Sequence, residues 1–402
     1  MKIIYYSPHP DLKLNSNSGY GTHMREMITA FKKSGYEVLP IIMGGIDENF
    51  DSRKDMSPSR YITNRLKQIM PAKFWSTLKD IRLLIRDRNS KRILYKKVEE
   101  YNPDLIYERA NYLQLSGVNV ARKFGVTHIL EMNSPYIEEK TSLGRGPSWL
   151  NPYACYIEKQ QILGTTKVAV ISSALRNYFM DKYGIESNKF TITSNAINPE
   201  KINFVKEEVD MIKQKYGLEN YLIVGFVGSL YPWHGVDLLI RTSKVLADSG
   251  LKFKVLIVGD GSRANELKQI RDKLKLQNII IFTGRVPHKD IFNFIEAMDI
   301  TVYPGSQNFE NWYGSPVKLF EYGAMGKPVI IYDQVPIRDV MTPNKDGILI
   351  KPTVEELSSA INLLSNNSKL RHQLAYNFKN KVHSKHTWDK NVKKLLNLGS
   401  PE

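Results

Sequence analysis

Phe226-Val227-Gly228-Ser229-Leu230-Tyr231-Pro232-Trp233-His234-Gly235-Val236-Asp237-Leu238-Leu239-Ile240 reads as a buried strand ending on a glycine, a loop closed by a second glycine, and an amphipathic helix. The run that feeds it, Leu222 to Val227, opens a series of short apolar runs, each ahead of a longer amphipathic segment. The later members are Phe253 to Val258, Ile279 to Phe282, Ile300 to Tyr303 and Pro328 to Tyr332. The first half has the same alternation, with Ile3 to Tyr6, Val38 to Met43, Leu105 to Tyr107, His128 to Glu131 and Lys167 to Ile171. Alternating strands and helices predict parallel sheets covered on both faces, so the chain reads as α/β with two doubly wound, Rossmann-like halves. The polar segment Asn198 to Leu218 is the expected join, with the first half at 1–198 and the second from 199.

Length and composition agree. The 402 residues, 42% of them hydrophobic and 24% charged, exceed one ordinary core. Lys and Arg number 57 against 41 Asp and Glu, a net charge of +16, which asks for an anionic partner: nucleic acid, a membrane surface or a phosphorylated substrate. A single cysteine, Cys155, excludes an internal disulfide and a cysteine-based zinc site; it reads as a buried inert thiol in a reducing compartment. The start, Met1-Lys2-Ile3-Ile4-Tyr5-Tyr6 followed by Pro8 and Pro10, is not a signal peptide, and no run reaches the roughly 18 to 20 apolar residues of a spanning helix. A cytoplasmic protein, peripheral on the inner face of the membrane, is expected.

Ligands of doubly wound sheets sit beyond the carboxyl ends of the strands, so the loops after strands are the places for chemistry. After the first strand, Gly19-Tyr20-Gly21-Thr22 opens a helix, and backbone amides there can approach an anion; a plain turn is the competing reading. Gly228 to Gly235 repeats the design with His234 as an adjacent donor, or else as a helix-capping histidine. In Gly314-Ser315-Pro316-Val317-Lys318-Leu319-Phe320-Glu321, Pro316 reads as the first helical residue. Amides near Ser315 with the Lys318 ammonium suit a diphosphate and Glu321 suits vicinal hydroxyls, whereas an i,i+3 surface pair is the bland alternative.

In order and wording these motifs resemble retaining nucleotide-sugar glycosyltransferases of the GT-B fold, glycosyltransferase family 4, over nearly the whole chain. The resemblance rests on the glycine loop after the first strand, Thr193 to Asn198, Gly228 to Gly235, Leu256 to Gly261, Phe282 to Pro287 and Ser315 to Ile330. It implies two Rossmann-like domains facing a central cleft, an acceptor-binding first domain and a nucleotide-sugar-binding second domain at 199–384, with a helix from about 385 to 402 returning to the first. It also implies transfer of a sugar with retention, from a UDP-sugar rather than a GDP-sugar, to a glycan or lipid-linked acceptor of a cell-surface polysaccharide or glycolipid. Donor contacts carried across are Gly19, Gly21, Gly228, Ser229, His234, Arg285, Ser315, Pro316, Val317, Lys318 and Glu321. Glu321 matches the second acid of the family's paired glutamates, but the first falls on Tyr313. The family's Arg and Lys after the second domain's first strand fall on Ser229 and His234, which leaves His234 as the possible charge there. No Asp-x-Asp pair is present, so neither an essential metal nor a cofactor beyond the donor is expected. His128 and Glu131, near the end of a first-half strand, are acceptor-side candidates. The departures keep a non-catalytic GT-B module and a sugar-nucleotide epimerase in view.

Charge is concentrated between Arg60 and Lys97, where twelve basic residues face two acids, ten of the sixteen net charges. With Trp75, Phe74 and regularly spaced Ile and Leu among them, 60–97 fits amphipathic helices on an anionic membrane surface, or a solvated face over a helical core. Nucleic acid is not expected, since no recognised nucleic-acid fold accompanies the charge.

Overall fold

The computed structural model describes residues 1–16, 18–46, 71–141, 146–306 and 312–397. The chain falls into two units, Met1–Thr193 with Asn391–Glu402, and Ser194–Lys390.

The first unit is built on a six-stranded sheet of β1 (Lys2–Ser7), β2 (Glu37–Ile42), β3 (Leu105–Arg109), β4 (Thr127–Met132), β5 (Lys167–Val170) and β6 (Phe190–Ile192). All neighbours are parallel, in the order β2-β1-β3-β4-β5-β6. Ile3, Ile4, Tyr5 and Tyr6 are all inaccessible, because helices cover both faces and a central parallel strand has no wet side. Helices used below are α1 (Gly19–Lys33), α2 (Ala72–Tyr101), α3 (Ser116–Phe124) and α4 (Asn151–Gly164).

The second unit repeats the layering with β7 (Leu222–Val227), β8 (Phe253–Val258), β9 (Ile280–Gly284), β10 (Ile300–Tyr303), β11 (Val329–Tyr332) and β12 (Ile348–Ile350), in the order β12-β11-β10-β7-β8-β9. Its helices include α5 (Val236–Asp248) and α6 (Val317–Ala324). The last helix, α7 (Trp388–Leu396), carries the chain from the second unit to the first, where Lys167 Nζ on β5 donates to Asn397 Oδ1 at 2.9 Å.

Both sheets reverse their strand order next to their first strand, β1 beside β3 and β7 beside β10. Connections leave such a pair toward opposite faces, so a crevice opens beyond their carboxyl ends. Two strands escape the sequence pattern, β6 and β12. Each has three residues and lies at a sheet edge, too short for an apolar run to register. In the basic segment, Arg60 to Met70 lies outside the described residues, and the rest forms the single helix α2. It lacks the clean apolar stripe expected: Leu94 and Val98 are buried, but Ile81, Ile85 and Ile93 are exposed.

The crevice of the second unit depends on a backbone contact. Gly235 has φ +64°, and a Cβ there would fall onto the Gly305 carbonyl of the loop after β10. Gly235→Ala combines left-handed strain with a clash against backbone, and is expected to cost the second unit about 2–4 kcal/mol. A urea transition unchanged from wild type would show that the two loops do not depend on this contact.

Candidate functional site

At the β7/β10 switch point, α6 supplies the charged groups. The Lys318 side chain passes beneath Gly228, where an added Cβ would lie 2.5 Å from Cε and 2.8 Å from Nζ. Its ammonium sits 5.0 Å from the centre of the Tyr303 ring and 5.9 Å from that of Phe226, rings that stack on each other across the adjacent strands. Among the described residues it has no hydrogen-bond or ion-pair partner. Burial lowers the Lys318 pKa to about 8, although Glu321 nearby pulls the other way. Glu321 turns elsewhere: its carboxylate is buried, with Oε1 3.3 Å from His288 Nε2. Lys318 and Glu321 therefore do not form the surface pair considered from their spacing. Tyr322 fixes the helix to the strand by accepting the Val227 N–H at 2.8 Å.

The helix starts one residue later than expected. Pro316 has ψ 118° and stands as the N-cap, so Val317 and Lys318 carry the first two helical amides. Ser315 is held by Asn195, whose N–H reaches its hydroxyl at 3.0 Å and whose Nδ2 reaches its carbonyl at 2.5 Å. Arg285 is exposed on the loop after β9, an edge strand, and among the described residues no contact joins it to Lys318 or Glu321.

His234 does not carry the charge expected of it. Its Nδ1–H donates to the carbonyl of Ser229, itself exposed, and the ring packs among Phe226, Trp233 and Tyr303. Burial and the Lys318 charge bring its pKa down to about 3, so the ring is neutral at neutral pH. Positive charge at this loop belongs to Lys318. The motifs include Tyr303, at the end of a strand, without giving it a role, and do not reach His288; strand order and loop geometry bring both to α6.

In the first unit, Gly21 lies in the first turn of α1, where its N–H is capped by Ser18 Oγ at 3.5 Å, and a Cβ on it would strike the Ser16 carbonyl. Gly19 has open space around it and no such need for glycine. Arg25 Nη1 holds that loop through the Leu14 and Ser16 carbonyls at 2.6 and 2.7 Å.

Glu131 ends β4 wholly buried, bound by Arg109 Nη1 at 2.5 Å, Tyr107 OH at 2.8 Å, Asn133 Nδ2 at 2.5 Å and His23 Nε2 at 3.2 Å. Burial alone would push its carboxyl up, but His23 and Arg109 prevail and hold it well below the usual carboxylate range. A carboxylate so surrounded organises its neighbours rather than taking a proton. His128 stands at the opposite, amino end of β4, buried between Glu108 Oε2 and Thr165 Oγ1 at 2.9 Å each, and is removed from the strand ends where ligands bind. A cavity in this unit, about 400 Å³, opens at the ends of β3 and β4 and is lined by Arg109, Asn111, Asn133, Tyr136, Asp80 and Lys140. Asp80 comes from the basic segment and is locked to Lys140 Nζ at 2.7 Å. Cys155 is half-buried and not fully buried as expected, on α4, and burial raises its pKa, which disfavours the thiolate.

Glu131→Gln leaves the buried Arg109 guanidinium uncompensated and is expected to cost about 3–5 kcal/mol of stability. Since the folded-state pKa is depressed, this contribution is present above the unfolded value of about 4.3 and is lost as pH falls below it. Urea titrations should thus show a constant gap between variant and wild type above pH 5 that narrows in acid.

Comparison with known proteins places this geometry. The family model described as Glycosyltransferase Family 4 matches residues 17–201, and that described as Glycosyl transferases group 1 matches residues 208–381. The chain is 24% identical to the UDP-Gal:alpha-D-GlcNAc-diphosphoundecaprenol alpha-1,3-galactosyltransferase of Escherichia coli, over 90% of each chain. It is 28% identical to an uncharacterized glycosyltransferase of Methanocaldococcus jannaschii over 58% of this chain, spanning 57% of that relative. In structure it is similar to Anabaena HepE in complex with UDP, with a TM-score of 0.70 at 16% identity over 99% of this chain and 100% of the other. With one glycosyltransferase model matched over residues 17–201, another over 208–381, and a fold shared with HepE, the chain belongs to the glycosyltransferases of the GT-B fold.

Proposed function

We propose that the protein is a retaining glycosyltransferase that moves a hexosyl group from a UDP-sugar to a lipid-linked glycan acceptor at an anionic membrane surface. The observation that carries this reading is the Lys318 ammonium. It is held against two aromatic faces at the start of a helix, without a counter-ion among the described residues, at the switch point of the sheet. An anion bound there completes the site, and the α6 amides of Val317 and Lys318 add donors aligned with the helix dipole. Glu321 is the acceptor for the ribose hydroxyls. UDP is favoured because the E. coli relative is named for UDP-Gal and HepE holds UDP. Transfer with retention has the acceptor hydroxyl approach the face from which the diphosphate departs. That step requires charge stabilisation on the leaving group and positioning of the acceptor more than a protein base, and it calls for no essential metal in this reading. The cavity beside Arg109 is the acceptor's place, with lipid-linked sugar as its class.

The membrane face would be the outer side of α2 with the segment packed on it. Trp149, Tyr153 and Tyr156 are 57%, 46% and 56% exposed, and Ile81 and Ile85 are exposed on α2. Thr77 Oγ1 accepts the Trp149 N–H at 3.1 Å, and Lys73 Nζ lies 5.9 Å from the Trp149 ring centre. Aromatic and aliphatic side chains among lysines and arginines suit an anionic interface, each cation contributing on the order of 1 kcal/mol. Among the described residues no helix is long and apolar enough to cross a membrane.

Lys318→Ala is expected to lower kcat/KM at least 100-fold with the preferred donor, found by thermal shift across UDP, GDP, ADP and their sugars. In the wild type, kcat/KM should fall as pH rises through about 8, where the free-enzyme ammonium loses its proton. A flat profile to pH 9.5 would remove Lys318 from the donor site. Donor binding with no transfer to any acceptor would indicate the non-catalytic module that Tyr313 and Ser229 keep open, and conversion of a UDP-sugar by the protein alone would indicate an epimerase.

Replacing Lys73, Lys79, Arg82 and Arg86 together by Glu should abolish flotation with vesicles containing anionic lipid and leave the thermal shift by UDP unchanged. Undiminished flotation would rule out electrostatic docking through α2.

A further inference from the structure

We propose that His234 reads a hydroxyl of the sugar being transferred, accepting its hydrogen bond at Nε2, and leaves the diphosphate to Lys318. This rests on the donor reading above and assigns a part of the donor that reading leaves open.

The geometry of the ring decides which nitrogen is available. The Ser229 carbonyl can only accept, so Nδ1 carries the ring proton, and a neutral imidazole then has a bare lone pair at Nε2. Nε2 has no partner among the described residues and is not among the fully enclosed orphaned atoms, so this edge of the buried ring keeps a narrow access to solvent. The ring is walled by aromatic faces, with centroids at 5.4 Å for Tyr303, 5.9 Å for Phe226 and Trp233, and 6.4 Å for Tyr231. The Lys318 ammonium lies over the same Tyr303 and Phe226 rings. A second cation in this weakly polar enclosure is disfavoured, which agrees with the lowered pKa of the ring.

A phosphate oxygen brings lone pairs against a lone pair, and contact is repulsive. A hydroxyl brings the donor that Nε2 lacks. The ribose hydroxyls belong with Glu321 on α6, so the hydroxyls left for the loop after β7 are those of the sugar beyond the diphosphate. The basic residue that the family resemblance led one to expect at this position is thus replaced by a neutral acceptor with a different task.

The test compares binding of UDP with that of UDP-glucose, UDP-galactose and UDP-N-acetylglucosamine to the full chain by calorimetry, with GDP and GDP-mannose in parallel. His234→Phe keeps the ring packing and removes the acceptor; it should leave the Kd for UDP within about twofold and weaken the tightest sugar nucleotide about tenfold. His234→Gln, which can present an acceptor, should recover part of the loss. Long-range proton–nitrogen spectra of the wild type need no variant to fold: they should show His234 protonated at Nδ1, with the Nε2 signal moving on addition of the sugar nucleotide and not of UDP. Equal weakening of UDP and sugar nucleotide by His234→Phe, or an imidazolium signal on adding UDP, would overturn the proposal in favour of a phosphate contact. Binding of no nucleotide would remove the donor reading itself, and this assignment with it.

Discussion

Two backbones touch where β7 and β10 end, and much of the second unit's site follows from that contact. Gly235 and Gly305 both adopt positive φ, at +64° and +70°, and neither has room for a side chain. Because the loops meet this closely, His234 from one and Tyr303 below the other share an aromatic enclosure, and Lys318 can reach over the rings of both strands. The first unit secures a neighbouring pair of strand ends, β3 and β4, by charge. Glu131 on β4 binds Arg109 on β3, and the pair fixes the mouth of the cavity beside them. In one unit steric closeness places the chemistry, and in the other a buried ion pair does.

The architecture was legible because central parallel strands are buried on both faces and therefore read as unbroken apolar runs; β1, β7 and β8 are of this kind. The edge strands β6 and β12 were not legible, since three residues at a sheet margin need little apolar character. Motif reading found Lys318 and Glu321 but not their surroundings. Spacing alone favoured a mutual pair, whereas the fold gives the ammonium to Tyr303 and Phe226 and the carboxylate to His288. His128 and Glu131 looked equivalent on one strand, yet a parallel strand has a functional end and an inert one, and they stand at opposite ends. The protonation of His234 lay beyond sequence because it depends on a carbonyl five residues away and on neighbouring rings.

Charge in α2 is sorted by direction. The two acids of the basic stretch both point into the unit: Asp80 binds Lys140, and Asp87 accepts the Leu115 and Ser116 N–H groups at 3.0 and 3.2 Å, capping the start of α3. Arg82, Arg86 and Arg88 are exposed. Composition describes such a helix as basic with two exceptions, while the structure makes the exceptions its anchors.

Asp80 also lines the cavity of the first unit, and this has a consequence of scale. An α-helix is a stiff ruler with about 1.5 Å per residue. From Asp80 to Arg92 the helix advances roughly 18 Å, with Asp80 pinned to Lys140 and Asp87 to the start of α3 along the way. A lipid surface resting on the outer residues would therefore lie at a set height from the cavity. If the acceptor enters this cavity as proposed, the gap between surface and cavity would then be set by the helix and not by the acceptor.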